Sequence, residues 1–170
     1  GDALALTLFR MRNGEPEDYA FYHPGGELGR KLIRVHEVMR TGEANPVVQH
    51  DATVRHALRT MSGPNSPGAA SVVDGTGKLV GFFTDGDLRR RLIDGDGDML
   101  DRAVSEVMTE DPKSIGTEDL AAEAFRMLRQ YRIDQVPVVD DEHHPVGLLD
   151  VQDWLDIERG SDHLDPPESE

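Results

Sequence analysis

Apolar residues recur at helical spacing in the second half of the chain, at Leu120, Ala121, Ala124, Phe125 and Leu128. Residues three and four positions apart lie on one face of a helix, so this stretch predicts an amphipathic helix with a buried face. Elsewhere, short runs rich in valine and phenylalanine are bounded by glycine, proline and aspartate, which is typical of strands joined by tight turns. The clearest of these runs are 71–74, 80–83, 137–140 and 146–149.

The same order of segments occurs twice. Val35–Met39 (Val-His-Glu-Val-Met) returns as Val104–Met108 (Val-Ser-Glu-Val-Met), and further matches follow in the helix and in both strands at an offset of 66 to 69 residues. A nearly constant offset across separate matches indicates a duplication with small changes in the loops. Each unit therefore predicts a short leading helix, an extended segment, an amphipathic helix, two strands joined by a hairpin-like turn, and a closing helix.

The stretch Val80–Arg91 combines a predicted strand end with the start of a helix. Thr84 is a preferred N-cap residue and Asp87 lies three positions later, the spacing of a capping box. A helix start with a hydroxyl and nearby arginines also suits a phosphate, and a carboxylate there suits the paired hydroxyls of a ribose. Two interpretations stay open: the two side chains only cap the helix, or they also bind a ligand. Arg89–Arg91 is likewise either a solvated face or a phosphate contact.

The two units resemble a tandem pair of CBS (cystathionine β-synthase) domains, which the motif Gly81–Asp87 carries most clearly. The resemblance implies an α/β fold of two βαββα-type repeats with pseudo-twofold symmetry, at residues 35–98 and 99–159. It also implies an adenine-nucleotide site in the cleft between repeats, with Thr84 at a phosphate, Asp87 at the ribose and Arg89 nearby. The corresponding motif of the second unit keeps Asp153 at the ribose position but has Asp150 in place of the threonine.

The first 34 residues resemble the end of the sugar-isomerase (SIS) domain of D-arabinose-5-phosphate isomerases. Three segments carry this resemblance: Gly1–Ala5, Glu17–Ala20 and His23–Arg30. It implies a helical remnant of that domain, conversion of ribulose 5-phosphate to arabinose 5-phosphate for synthesis of the lipopolysaccharide sugar Kdo, and His23 as a catalytic residue. Taken alone, His23 is more simply a histidine of a glycine-rich turn. The other catalytic residues of the family belong upstream, so this chain by itself is expected to be inactive.

The resemblance thus implies a regulatory module that senses AMP, ATP or the nucleotide sugar CMP-Kdo on behalf of its own isomerase domain, with no required cofactor. Two alternatives stay open, namely a structural oligomerisation module without a ligand and a pair that regulates another SIS-type isomerase. Tandem CBS pairs commonly associate face to face, so a homodimer is expected, and a homotetramer for the full-length protein.

Charge and composition limit the classes of partner that the chain is expected to bind. The formal net charge of −15 argues against nucleic-acid binding through a general basic surface, although a small anion still suits a local arginine cluster. Apolar runs are too short to span a bilayer and cysteine is absent, which favours a cytoplasmic protein without disulfides. The acidic loop 94–98 lacks the ligand pattern of an EF-hand, so no metal site is predicted. Residues 160–170 are polar, acidic and proline-bearing, and predict a disordered tail.

Overall fold

The secondary structure follows the predicted order in both repeats. The fold is that of a computed structural model that describes residues 27–162, with side chains described for residues 30–158. The α-helices of this part are α1 (Glu27–Leu32), α2 (Val35–Val38), α3 (Val54–Thr60), α4 (Asp85–Ile93), α5 (Ala121–Tyr131) and α6 (Val151–Asp162). Its strands are β1 (Val47–Gln49), β2 (Ala69–Val73), β3 (Leu79–Thr84), β4 (Thr109–Glu110), β5 (Ile115–Gly116), β6 (Gln135–Val139) and β7 (Pro145–Asp150).

Each repeat contributes one small mixed sheet with the same register. Strand β1 pairs in parallel with β2, which pairs in antiparallel fashion with β3, and β5, β6 and β7 repeat this arrangement. Val72 lies opposite Gly81, as Val138 lies opposite Gly147, and in both hairpins the register shifts immediately afterwards. The duplication seen in the sequence is therefore preserved down to the position of the irregularity in the strand ladder.

Each repeat leads with a short segment that packs on the other repeat. We call Val35–Met39 and Val104–Met108 the leading segments of repeat 1 and repeat 2. Val35 is fully buried in the core that Phe125 and Leu149 form in repeat 2, whereas Val104 is fully buried in the core of repeat 1. The two cores are thus completed by exchange, which the order of elements along the sequence does not reveal.

Matching hydrogen bonds hold the exchanged segments in place. The backbone N–H of Val35 donates to the carbonyl oxygen of Asp119 at 2.9 Å, and that of Val104 donates to Ala52 at 2.7 Å. In each case the acceptor lies two residues before the amphipathic helix of the other repeat. The exchange therefore obeys the same pseudo-twofold symmetry as the sheets.

Two glycines provide the space in which the exchanged segments lie. At Gly81 the side chain of Met108 occupies the position that a Cβ would take, and at Gly147 the side chain of Met39 does so. A Cβ at residue 147 would also lie 3.1 Å from the carbonyl oxygen of Arg40, so backbone as well as side chain fills this space. Glycine is required at both positions because of close approach.

The structure differs from the sequence-based expectations in two details. The leading segment of repeat 2 contains a 3₁₀ turn, Val104–Glu106, rather than an α-helix. Helix α6 continues to Asp162 and so includes the first residues of the predicted tail, because extending a formed helix adds one hydrogen bond per residue. The rest of that tail, and residues 1–26 of the predicted helical remnant, lie outside the described residues. Within residues 27–162, none of the helices combines the length and apolar character that crossing a membrane requires.

We expect Gly147→Ala to lower the free energy of unfolding by about 1–3 kcal/mol, because an added methyl group overpacks a filled contact. Urea denaturation measures this effect. Met39→Ala in the same chain should recover part of the loss, since the two substitutions act on one contact and are not additive.

Gly63→Ala is the matched control, because a Cβ at residue 63 meets no atom within 4 Å. Its free energy of unfolding should stay within about 0.5 kcal/mol of the unchanged chain. Equal effects at positions 147 and 63 would contradict the assigned role of Gly147.

Candidate functional site

A cleft of about 450 Å³ lies between the two repeats, and we call it the first cleft. One side is formed where β3 passes into α4, from Thr84 to Arg90, and the other where α5 passes into β6, from Tyr131 to Gln135. Thr109 and Lys113, which follow the leading segment of repeat 2, line it as well. Both repeats therefore contribute to its walls.

Three of the predicted site residues line this cleft, namely Thr84, Asp87 and Arg89. Asp153 lies instead at the symmetry-related position in repeat 2, at the start of α6. His23 lies outside the described residues. The structure thus brings the repeat 1 residues together, while ligand binding by any of them stays a prediction.

Thr84 and Asp87 form a complete capping box at the start of α4. Thr84 has extended backbone (φ −127°, ψ 162°) and its Oγ1 accepts a hydrogen bond from the backbone N–H of Asp87 at 3.2 Å. Asp87 Oδ2 in return accepts from the backbone N–H of Thr84 at 2.9 Å and from its hydroxyl at 3.0 Å. The capping interpretation is therefore confirmed, and it does not exclude binding, because the same residues line the cleft.

The second oxygen of Asp87, Oδ1, pairs with the guanidinium of Arg90 one turn later on the same helix. The side chain of Arg90 is 73% exposed, whereas that of Asp87 is 12% exposed. The pair is therefore exposed on the arginine side only, and the guanidinium of Arg90 is free to return to water while the carboxylate of Asp87 stays largely buried.

Charge in the first cleft is locally positive although the chain as a whole is acidic. Four cationic and three acidic side chains line it, namely Arg89, Arg90, Lys113 and Arg132 against Asp85, Asp87 and Asp134. The ammonium group of Lys113 lies 4.8 Å from the ring centroid of Tyr131, within the range of a cation–π contact. The cleft thus offers positive charge together with a half-exposed aromatic ring.

The sequence reasoning missed Tyr131, Lys113 and Arg132, because none of them belongs to the Gly81–Asp87 motif. A signal was nevertheless present. Under the repeat offset, the end of α5 in repeat 2 is equivalent to the segment that precedes β2 in repeat 1. With pseudo-twofold symmetry between the units, residues 131–135 are then expected at the cleft between them.

The symmetry-related position contains a second, more open cleft of about 360 Å³ lined by Arg40, Ala44, Pro64, Asn65 and Ser66. Under the repeat offset, Arg40 corresponds to Thr109, and Pro64 corresponds to Tyr131. The second cleft therefore lacks the aromatic ring that lines the first one.

The carboxylate of Asp153 forms an ion pair with Arg40, an arginine of repeat 1. Arg40 Nε donates to Asp153 Oδ1 at 3.0 Å and to Oδ2 at 3.2 Å, and its Nη2 lies 3.0 Å from Oδ1. Partial burial tends to lower the pKa of the Arg40 guanidinium, but its hydrogen bonds to Asp153 and the attraction of this and other carboxylates raise the pKa above its ordinary value overall. The guanidinium is charged at every physiological pH.

Asp150, at the position of Thr84, is also engaged. Its Oδ1 accepts from the backbone N–H of Gln152 at 2.8 Å, and its Oδ2 accepts from the side-chain amide of Gln135 at 3.0 Å. The same amide group donates to the carbonyl oxygen of Pro67 in repeat 1. Asp150 therefore caps α6 and, through Gln135, links the two repeats.

One group of potential metal ligands occurs in the described part, in the turn between β6 and β7. Ligand atoms of Asp140, Glu142 and His144 lie within 4.8 Å of one another. Asp140 Oδ1 already accepts the backbone N–H groups of Glu142 and His144, and these hydrogen bonds, first that of His144, lower the pKa of its carboxyl below the ordinary value. The arrangement is accounted for as a turn that its own side chains stabilise.

The two sheets, the exchanged segments and the cleft between them define a tandem repeat protein with a cleft at the repeat boundary. The family model for the CBS domain matches residues 35–94 and 104–160. The chain belongs to the CBS domain family and contains a CBS pair.

Several curated relatives carry the same name. The chain is 43% identical over 156 residues to "Arabinose 5-phosphate isomerase KdsD" of Pseudomonas aeruginosa, and 39% identical over 159 residues to the protein of that name in Francisella tularensis. These alignments cover 91% and 93% of this chain but 47% and 48% of the two relatives. The chain thus spans about half the length of the curated relatives it matches.

Solved structures with a similar fold are CBS pairs. One is the CBS domain pair of protein MJ0100 in complex with 5′-methylthioadenosine and S-adenosyl-L-methionine, with a TM-score of 0.66 at 22% identity. Another is CBSX2 in complex with AMP, with a TM-score of 0.64 at 22% identity. Each similarity covers 76% of this chain and 98% of the other. At such identities the similarity establishes the fold, which confirms the predicted tandem CBS architecture.

We expect Thr84→Ala to lower the free energy of unfolding by about 1 kcal/mol, because it removes the N-cap acceptor of α4. Thr84→Ser keeps the hydroxyl and should lower the free energy of unfolding by clearly less. Urea denaturation of the three proteins measures both effects. Equal losses for alanine and serine would show that the methyl group rather than the cap stabilises this position.

Proposed function

We propose that the chain is a regulatory CBS pair that binds a nucleotide or nucleotide sugar in the first cleft and controls an arabinose-5-phosphate isomerase. The observation that carries this proposal is the convergence of the Thr84–Asp87 helix start with Lys113 and Arg132 of repeat 2 across one cleft. Backbone N–H groups, a hydroxyl and positive charge suit a phosphate, and Asp87 suits ribose hydroxyls. Relatives named as isomerases and CBS pairs solved with AMP or S-adenosyl-L-methionine support it.

Ligand candidates follow from the same chemistry. AMP, ATP and CMP-Kdo all combine a ribose with at least one phosphate. In the proposed orientation the ribose lies at Asp87, where it displaces Arg90, and the phosphate lies at Thr84 and Arg89. The ring of Tyr131 can stack on a base, since every base presents a π-face.

Helix α5 provides a direct route from the cleft towards the upstream segment. Its last residue, Tyr131, lines the first cleft, and its N-terminal end is held by residues that follow α1. The backbone N–H of Ala121 donates to Ile33 at 2.8 Å, and Arg34 Nη1 donates to the carbonyl oxygen of Glu118 at 3.0 Å. A displacement of α5 on ligand binding would therefore reach residues 27–34, the last residues of the predicted isomerase remnant.

Assembly with a second copy is part of the proposal. Apolar side chains are exposed on both closing helices, Leu92 and Ile93 on α4 and Val151 and Leu155 on α6. Burial of such side chains favours association over short distances, where the repulsion between acidic chains is partly screened. The homodimer, the homotetramer of a longer protein and the cytoplasmic location stay predictions.

Calorimetry with AMP, ATP and CMP-Kdo tests the ligand proposal. We expect at least one of them to bind, and Asp87→Ala to weaken that binding roughly ten- to hundredfold, because polar ligand groups lose their partner. Lys113→Ala should also weaken binding, with no effect on the cap of α4. Arg55→Ala is the matched control, since Arg55 pairs with Asp101 on the surface and does not line the first cleft.

Each variant is compared by circular dichroism at the temperature of the titration, so that a loss of folding is separated from a loss of binding. Failure of all three compounds to bind, or equal affinities for Asp87→Ala and the unchanged chain, would contradict the proposal. The structural oligomerisation module would then be the better explanation.

Isomerase assays test the second half of the proposal. We expect this chain alone to convert no ribulose 5-phosphate, whereas a longer protein with the upstream SIS domain should do so. In the longer protein His23→Ala should reduce turnover roughly a hundredfold or more if His23 transfers protons. Near-normal turnover after this substitution would favour the interpretation of His23 as a histidine of a glycine-rich turn. Isomerase activity of the chain alone would contradict the proposal that catalysis requires the upstream domain.

A further inference from the structure

The two symmetry-related carboxylates, Asp87 and Asp153, both face an arginine, but the two pairs differ in kind. Arg90 comes from the same helix as Asp87, lies three residues away and is 73% exposed. Arg40 comes from 113 positions away, binds both oxygens of Asp153 and is 24% exposed, with Asp153 16% exposed. The second pair is a partly buried, bidentate contact between repeats.

The backbone fixes Arg40 at this place. Its N–H donates to the carbonyl oxygen of Leu148 at 2.8 Å, and its own carbonyl accepts from the N–H of Leu148 at 3.0 Å. Leu148 is a fully buried residue of β7, two positions before Asp150. The guanidinium is therefore supplied by a residue anchored in the sheet rather than by a loose loop. The residue that corresponds to Arg40 at the first cleft is Thr109, which is short and uncharged.

We propose that Arg40 is a built-in occupant of the second cleft, held on Asp153 in the place of a ligand's hydroxyl groups, so that the chain binds one ligand and not two. This inference rests on the proposed function, because it takes Asp87 as a ligand contact in the first cleft. It makes Arg40, together with Asp150, the residue that limits the number of ligands per chain.

The energetics favour Arg40 over a ligand at Asp153. Breaking the Arg40–Asp153 pair leaves two largely buried charges without compensation, whereas Arg90 is 73% exposed and returns to water when it leaves Asp87. A phosphate would in addition meet the carboxylate of Asp150 where the first cleft offers the hydroxyl of Thr84. Asp150→Thr alone removes the repulsion but leaves Arg40 in place, so both residues must change before the second cleft opens.

Equilibrium dialysis with radiolabelled AMP as the probe counts ligands on four proteins: the unchanged chain, Arg40→Thr, Asp150→Thr and the double variant. Threonine at both positions reproduces the residues of the first cleft, Thr109 and Thr84, and a threonine at residue 150 can still cap α6. We expect one AMP per chain for the first three proteins at saturation and two for the double variant. Asp87→Ala added to the double variant should weaken binding at one of its two sites only.

Arg55→Thr is the matched control, because it removes an arginine from an exposed pair with Asp101, and it should leave one AMP bound. If the first double variant does not fold, a second one that combines Arg40→Gln with Asp150→Thr replaces it in the experiment. Glutamine keeps more of the length and polarity of the arginine side chain than threonine does. Circular dichroism and thermal unfolding verify the fold of every variant.

Two AMP per unchanged chain, or one AMP per folded double variant, would overturn the inference while leaving the proposed function intact. Failure of the unchanged chain to bind AMP counts against AMP as the ligand of the first cleft. In that case a single AMP gained by the double variant still supports the role of Arg40, and no gain overturns it.

Discussion

The contact of Met39 with Gly147, and of Met108 with Gly81, is the constraint on which the rest of this structure depends. Each methionine comes from one repeat and lies against a strand of the other, in space that any side chain at the glycine would fill. The adjacent valines, Val35 and Val104, complete the two cores in the same crossed manner. Because the leading segments are exchanged, the repeats have a fixed mutual arrangement, and the cleft between them has walls from both.

The same symmetry explains why the two clefts differ. Exchange places Thr109 beside the first cleft and Arg40 beside the second, so a single position in the leading segment decides what each carboxylate faces. Thr109 leaves Asp87 to a pair with Arg90 of the same helix, whose side chain is 73% exposed. Arg40 instead forms a bidentate pair with Asp153. Two clefts that descend from one duplicated motif have thus diverged through Arg40, which lies outside the motif, as well as through Asp150 within it.

Much of the fold could be predicted from the sequence, because the helical spacing around Phe125 and the repeated strand runs report directly on local structure. The placing of Thr84, Asp87 and Arg89 at one cleft was also predictable, since they lie next to one another in the chain. The exchange was not, because periodicity shows which face of a segment is buried but not against which partner. For the same reason the pairing of Arg40 with Asp153 appeared only in three dimensions, whereas the repeat offset already pointed to Tyr131.

The crossed cores have a consequence for the order in which the chain can fold. The core of repeat 1 lacks Val104 and Val107 until the first residues of repeat 2 have been synthesised, and Val35 must wait for Phe125 and Leu149. Neither repeat can therefore complete its core from its own residues alone. Contacts over such sequence separations slow folding and leave apolar surface open in the meantime. The pair should behave as one cooperative unit, and a chain cut between the repeats should leave two incomplete cores rather than two small domains.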